Sequence, residues 1–568
     1  MGVIARQSIK GAIANYLGVA IGFFVQFFIV TRYLKPEEIG LTRVLVDAAM
    51  LFSSLAQLGT NSSIVRFFPW FKTDPSVSPS RADSSPNSGE QLDGIGPQGA
   101  DSSPSLGEQL DGIGLRRADS SPNLGEQLDG IGPQRADSSP NLGEQPVANH
   151  GIFGLSVLLP LAGFFIFALA FLVFRNPLLA LYSEKSPLLA DYFYLLPMLT
   201  FFALYTTVFE TNASVLMRIT TPRLVREVGI RVFNLAAYLL YGFNLISLDA
   251  FVWLFCGSYG LAMLLNLFYL LSLGHISFRI DRHFLTREKR REIVRYTFFM
   301  TVVVLAGNIP LFNSLFLGAK AGLALTGVYT IASYIANVVE VPYRSLGAIS
   351  RPVIATAVKE DRWEEVNRLC RQISLHQMLV SLLIFYVIWI NIDALFAVIP
   401  NGQEYVGGVG VVFALGLAKV VNSSFSVGTD ILNYSRHYPW SLIFITVLTA
   451  SAILFNSTFI TTMGISGAAI ATLCAYTLYF VLLHSYLWRK LRVNVFSLGQ
   501  LKMVVVIVVL LGLNWAWSQW LTPAMGLNAI VGAALKTAVL GTLAATAVLG
   551  WRISPTVNEM VLRFKKKL

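Results

Sequence analysis

The sequence predicts an all-α polytopic membrane protein of about fourteen transmembrane helices, and three observations carry that expectation. Mean hydropathy is +0.60, and only 13% of the 568 residues are charged. Fourteen apolar stretches follow one another at 11–31, 40–60, 152–174, 190–214, 229–247, 249–273, 297–317, 322–342, 374–394, 405–427, 440–461, 464–487, 502–520 and 526–550. Most are near the roughly 20 residues that cross a hydrocarbon core as a helix. Lys and Arg gather in every second gap: with the N-terminus inside, 35 of the 43 fall on the inner side, 5 on the outer side and 3 within spans. Basic loops are retained in the cytoplasm during insertion, so both termini are expected there.

Residues 1–72 hold the first two helices of an N-terminal lobe. The first follows Arg6 and Lys10 as a signal peptide would, but it is long, lacks a small-residue cleavage site and runs on into Arg32 and Lys35. Residues 73–149 break the apolar pattern. Ala82, Ala100, Ala118 and Ala136 each open one phrase, read at Ala118 as ADSSPNLGEQLDGIGPQR, with a period of 18 residues. A unit with a Leu or two and an Ile among Ser-Pro and Gly breakers cannot offset its ordering entropy, so a disordered cytoplasmic loop is expected. A spacer and a tether for partner enzymes are its two readings.

Residues 150–275 complete the N-terminal lobe, 276–296 form a basic connector, and 297–490 form a second lobe of six spans. Two additional helices follow in 500–551, then a basic tail in 552–568. An even number of spans gives both lobes one orientation, as in parallel repeats related by an axis along the membrane normal. Gly40 in LKPEEIGLTRVL and Gly327 in KAGLALTGVYTI hold corresponding places, each opening an inward-running helix. Stretches 277–296 and 350–371 alternate charges with apolar residues at helical spacing, which predicts two helices on the inner membrane surface.

Ionisable groups at membrane depth are costly, so each is a candidate for function. Arg43 and Asp47 stand one helical turn apart and either neutralise each other or leave Arg43 facing a central cavity, with Arg32 and Lys35 at its outer rim. Lys419 and Lys536 have no acid nearby in sequence; each faces a cavity or pairs with an acid on another helix. Asp47, Glu210 and Glu340 are the candidate ion-coupling acids, while Asp430 joins Glu210 and Glu340 toward the inner ends of their spans. Gly307 and Pro310 mark a kink that is either static or a hinge. Gly18 and Gly22 form a GxxxG, whose default meaning is close helix packing.

Other chemistries find no support. Cys256, Cys370 and Cys474 show no paired spacing, the six histidines form no HExxH, and no Walker motif or serine nucleophile setting occurs. Gly407, Gly408 and Gly410 lack the strand and lysine of a phosphate loop. No enzyme activity, metal or cofactor is therefore expected. The net charge of +11 is spread over loops and not over a polar domain, which argues against nucleic acid and for anionic membrane lipids.

Three segments resemble the bacterial polysaccharide flippases, the Wzx-type exporters of the multidrug/oligosaccharidyl-lipid/polysaccharide (MOP) superfamily. They are residues 8–71, which begin SIKGAIANYLGVAIGFF, then RITTPRLVREVGIRVFN at 218–234 and NSLFLGAKAGLALTGVYTI within 313–352. The resemblance implies two six-helix lobes around a central cavity in the inner membrane. It implies alternating-access export of polyprenyl-diphosphate-linked oligosaccharide for O-antigen, capsule or exopolysaccharide, with a polymerase and glycosyltransferases as partners. Arg43, Lys419, Lys536 and Arg32 are then the candidate diphosphate cations, and the last two spans a groove for the lipid tail. Asn313 stands where relatives often carry aspartate. A cation-coupled multidrug antiporter of the same superfamily and a membrane polymerase or glycosyltransferase are the competing readings. Deletion of residues 75–145 is expected to leave export unchanged; a deleted protein that inserts normally yet exports nothing would refute the spacer reading.

Overall fold

Two crossing helices, α2 (Pro36–Ala56) and α10 (Leu323–Asn337), make the most extensive contact in the structure. They belong to the two most buried of the candidate spans, each 67% buried, whereas the edge helix 153–183 is only 17% buried. This computed structural model describes residues 17–71, 152–216, 218–273, 286–306, 309–521, 529–554 and 558–559. The repeat segment, residues 276–285 of the connector, Gly307 and most of the basic tail lie outside the described residues.

The elements run in the expected order. Helix α1 covers Leu17–Tyr33, with a π-helical stretch at Val25–Val30. After α2 come α3 (Thr60–Phe71), α4 (Ile152–Ser183) and α5 (Pro187–Val215). Helix α6 joins Thr220–Leu224, a second π stretch at Val225–Gly229 and Ile230–Gly242; α7 is Leu248–Ser272. The second half begins with α8 (Arg287–Ala306) and α9 (Ile309–Lys320) ahead of α10, whose end tightens into a 3-10 turn at Val338–Glu340. Helices α11 (Val341–Lys359), α12 (Trp363–Ile390), α13 (Val409–Phe425), α14 (Val427–Tyr434), α15 (Trp440–Leu491), α16 (Leu498–Ala516) and α17 (Ala529–Gly550) complete it. Ten helices among the described residues are long and apolar enough to cross a membrane, so the chain is an all-helical, multi-pass membrane protein.

Helix α15 counts once in that ten but is a folded pair. Gly464 breaks it with φ +59 and ψ −136, a backbone conformation that favours glycine. A Cβ on Gly467 would stand 2.0 Å from the carbonyl oxygen of Phe459, so the chain doubles back tightly. Asn456 and Thr472, each eight residues from Gly464, both reach Asn313 of α9, as the two arms of a hairpin would.

The α2–α10 crossing has a specific cause. A Cβ on Gly40 would lie 2.0 Å from the Leu323 carbonyl oxygen, and one on Gly327 would lie 1.9 Å from the Pro36 carbonyl oxygen. Each glycine thus receives the carbonyl four residues before the other, a reciprocal contact that any side chain would prise apart. Small residues permit such backbone approach between membrane helices. The start of α2 is set by Pro36 in its first turn and by the Lys35 N–H donating to Glu38 Oε2 at 3.0 Å.

Two expectations for the inner surface are corrected. The basic stretch from Arg287 does not stop as a surface helix but continues as one helix to Ala306, because the charged turn and the apolar span share an unbroken helical sequence. The expected helix over 350–371 is two helices, divided between Lys359 and Trp363 where Asp361 takes φ +53. The terminal pair is anchored on α12: the Tyr386 hydroxyl donates to Leu510 O at 3.2 Å, Gln500 Nε2 to Ser374 Oγ at 2.7 Å, and Asn391 Nδ2 to Thr537 Oγ1 at 2.7 Å.

Gly40→Ala and Gly327→Ala should each destabilise the purified protein by about 1–3 kcal/mol through overpacking, read as a lower thermal midpoint. Gly541→Ala, where nothing lies within 4 Å of the added methyl, serves as the control and should not lower it. An unchanged midpoint in both crossing variants would refute the backbone-contact account.

Candidate functional site

Helix α2 carries Arg43 and Asp47 on one face, one turn apart, and the structure closes them into an ion pair with Nε to Oδ2 at 2.6 Å. Asp47 is nearly sealed, its side chain 4% exposed, and it also accepts a hydrogen bond from Ser314 of α9. Arg43 remains 26% exposed and lies 6.0 Å from the centroid of the Tyr334 ring on α10. The pair therefore ties α2 to α9 and α10, two consecutive helices far from it in sequence. Beside Ser314, Asn313 Nδ2 donates to the Tyr329 hydroxyl at 2.9 Å and to Thr472 Oγ1 at 2.8 Å, and Asn456 Nδ2 donates to Asn313 Oδ1 at 2.9 Å. A buried charge is tolerated when paired and hydrogen-bonded, and this network supplies both.

The remaining candidate cations and acids are dispersed. Lys419 of α13 is buried and pairs with Glu340 at 3.2 Å, while Asn422 Nδ2 donates to the other Glu340 oxygen at 2.8 Å. Glu210 holds Arg226 at 2.7 Å, and Asp430 holds Arg351 at 3.2 Å. Lys536 makes no ion pair among the described residues; it lies on α17 within electrostatic reach of Asp393. Arg32 is exposed at the end of α1, 5.8 Å from the Tyr33 ring centroid. Pro310 lies in the first turn of α9, and Gly307 is outside the described residues. Among the described residues, no two of the proposed cations share an acid partner.

A cavity of about 230 Å³ opens beside Tyr334, between α1, α6 and the end of α10. Its polar lining is Gln26, Arg231, Asn234, Tyr238, Tyr334 and Asn337, and among the described residues no acid lines it. Both flanking helices bear their π stretches here, Val25–Val30 in α1 and Val225–Gly229 just before Arg231. A π turn takes in one extra residue and widens the helix, a distortion frequent at functional sites.

Sequence reasoning missed Arg231. It lies near the start of its span, where it counts naturally with the basic inner loop. The overlooked signal was the GxxxG of α1. A Cβ on Gly18 would meet Arg231 Nη1 at 2.4 Å, and one on Gly22 would meet Arg231 Nε at 2.9 Å. The glycine face makes room for a guanidinium, which donates from Nη1 to Glu227 O at 2.7 Å and pairs with Glu227 Oε2 at 3.2 Å.

Removing one member of the Lys419–Glu340 pair leaves the other charge buried alone. Glu340→Gln or Lys419→Met should each cost about 3–5 kcal/mol of stability, with most of it recovered in the double variant. Thermal unfolding in detergent measures this; single variants as stable as the parent would show that the pair does not hold the fold.

No protein-family model and no curated protein matches the chain. Among solved structures it is similar to "Lipid II flippase MurJ, inward closed conformation", with a TM-score of 0.63 at 11% identity, covering 96% of this chain and 100% of that one. It is also similar to an inward-facing multidrug resistance MATE family transporter of the MOP superfamily, with a TM-score of 0.55 at 14% identity, covering 87% and 98%. The likeness is one of fold: the chain folds as these two solved transporters do.

Proposed function

We propose that this chain is a transporter, not an enzyme, that turns a polyprenyl-diphosphate-linked oligosaccharide from the inner to the outer leaflet of a bacterial inner membrane. Its product feeds a surface polysaccharide, whether O-antigen, capsule or exopolysaccharide. The observation that carries this reading is the cavity at Tyr334, which offers a guanidinium and amides but no acid. A diphosphate needs cationic hydrogen-bond donors, and Arg231 in the lining with Arg43 behind Tyr334 supplies two. The likeness to a lipid II flippase supports it, because that match extends over 96% of this chain, against 87% for the MATE transporter.

The mechanism is alternating access. Two six-helix lobes related as parallel repeats rock about the α2–α10 crossing, with α16 and α17 as two further helices and both termini cytoplasmic. Arg43 holds Asp47 until the diphosphate oxygens compete for its guanidinium. Lys419 is committed to Glu340, so its part is to hold the second half together unless that pair opens during the cycle. Lys536 and Arg32 stand apart from the cavity and would meet the substrate only at other stages. Pro310 and Gly307 remain the proposed hinge.

The second reading is a cation-coupled multidrug antiporter, and the MATE likeness favours it. Such a transporter needs an acid free to bind a cation or proton, yet Asp47, Glu210 and Glu340 each hold a basic partner here.

In cells that depend on this chain for surface polysaccharide, Arg43→Gln and Arg231→Gln together should abolish the polymer and leave lipid-linked oligosaccharide on the inner leaflet. Normal polymer from a chain with both charges removed would sink the proposal. Increased drug efflux in an otherwise transporter-deficient strain, with polymer unaffected by deletion of the gene, would favour the antiporter.

A further inference from the structure

The cavity beside Tyr334 has a chemical asymmetry that a diphosphate alone does not satisfy. Asn234 of α6 is 7% exposed, and its Oδ1 is buried without a hydrogen-bond partner. Its Nδ2 likewise bonds no described residue, and Asn337 across the cavity makes no side-chain hydrogen bond among the described residues. Leaving a buried amide unmatched costs about 1–3 kcal/mol. Native structures carry few such groups, and an unmatched one that lines a cavity calls for a ligand able to complete it.

The ligand chemistry follows from what each part of the substrate can offer. An ionised diphosphate only accepts hydrogen bonds, so it suits Arg231 and leaves Asn234 Oδ1 unsatisfied. A polyprenyl tail neither donates nor accepts. A sugar hydroxyl or acetamido group does both, and it matches an amide whichever way that amide is turned. The apolar lining includes Phe23 and Phe27, which with Tyr238 and Tyr334 give aromatic surface for the C–H face of a pyranose ring. At about 230 Å³ the cavity is smaller than the roughly 300–1,000 Å³ of sites for drug-sized ligands, room for one ring and not for an oligosaccharide.

We propose that this cavity seats the first sugar of the lipid-linked glycan, the one attached to the diphosphate, with Asn234 and Asn337 completing its hydrogen bonds and Arg231 taking the adjoining phosphate. This rests on the flippase reading and deepens it. Arg231 acts on every polyprenyl diphosphate alike, whereas Asn234 distinguishes a glycosylated lipid from a bare one. Specificity of this kind arises because buried polar groups built for a partner are left unpaired without it.

The test uses the full-length protein in nanodiscs and two probes, undecaprenyl diphosphate and undecaprenyl diphosphate N-acetylglucosamine, with affinities compared by native mass spectrometry. The parent chain should prefer the glycosylated lipid by about tenfold, the worth of roughly one well-made hydrogen bond. Asn234→Leu should erase that preference while leaving affinity for the bare lipid unchanged, which also reports that the cavity is still formed. Arg231→Gln should weaken both lipids together. A parent chain that binds both lipids equally, or an Asn234→Leu chain that keeps the preference or loses both lipids alike, overturns the sugar seat and leaves the flippase reading standing. A parent chain that binds neither lipid overturns both.

Discussion

The close approach of two backbones at Gly40 and Gly327 is the constraint on which the rest of the structure depends. In a bilayer, apolar side chains gain little by leaving lipid for protein, so helix association relies on packing and on polar contacts that packing brings within range. With a carbonyl seated on each glycine, α2 and α10 come near enough for Arg43 to face Tyr334 and for Asp47 to reach Ser314. The polar network around Asn313 then extends the same junction into both arms of the α15 hairpin. Widen the crossing by a methyl group, and each of those contacts has to stretch or break.

The three candidate coupling acids share one feature. The buried acids Asp47 and Glu340 each hold a cation, and Glu210 does so nearer the surface. These pairs need not add stability relative to an apolar core, but breaking one is expensive, so they fix which helices stay together. Arg231 differs because its partner Glu227 is shared with a second cation, Arg226. Its side chain lines the cavity and is 33% exposed, and an anion entering there could be met by a guanidinium fork.

Much of this was legible in the sequence because hydropathy and turn residues act locally. The helix order, the reversal near Gly464 and the Arg43–Asp47 pair all follow from neighbours within a few positions. Correspondence of Gly40 and Gly327 could also be read, though not that the two residues meet. The partner of Lys419 is 79 positions away, and no pattern short of the tertiary fold links it to Glu340. Arg231 was hidden differently, because a residue at the edge of a span belongs by hydropathy to the loop and by geometry to the cavity. The GxxxG of α1 misled for the same reason: the motif states that something approaches closely, not whether it is a backbone or a side chain.

The two π stretches change how these helices must be read. An α-helical wheel assumes that each residue advances by the same angle, and one added residue in a turn shifts the phase of everything after it. Gln26 and Phe27 lie inside such a turn in α1, and Arg231 and Asn234 follow one in α6. A wheel drawn through either whole helix therefore points these residues the wrong way. Aligning this chain with a relative that lacks either stretch needs a single-residue gap inside a helix, where a gap is ordinarily taken as an error.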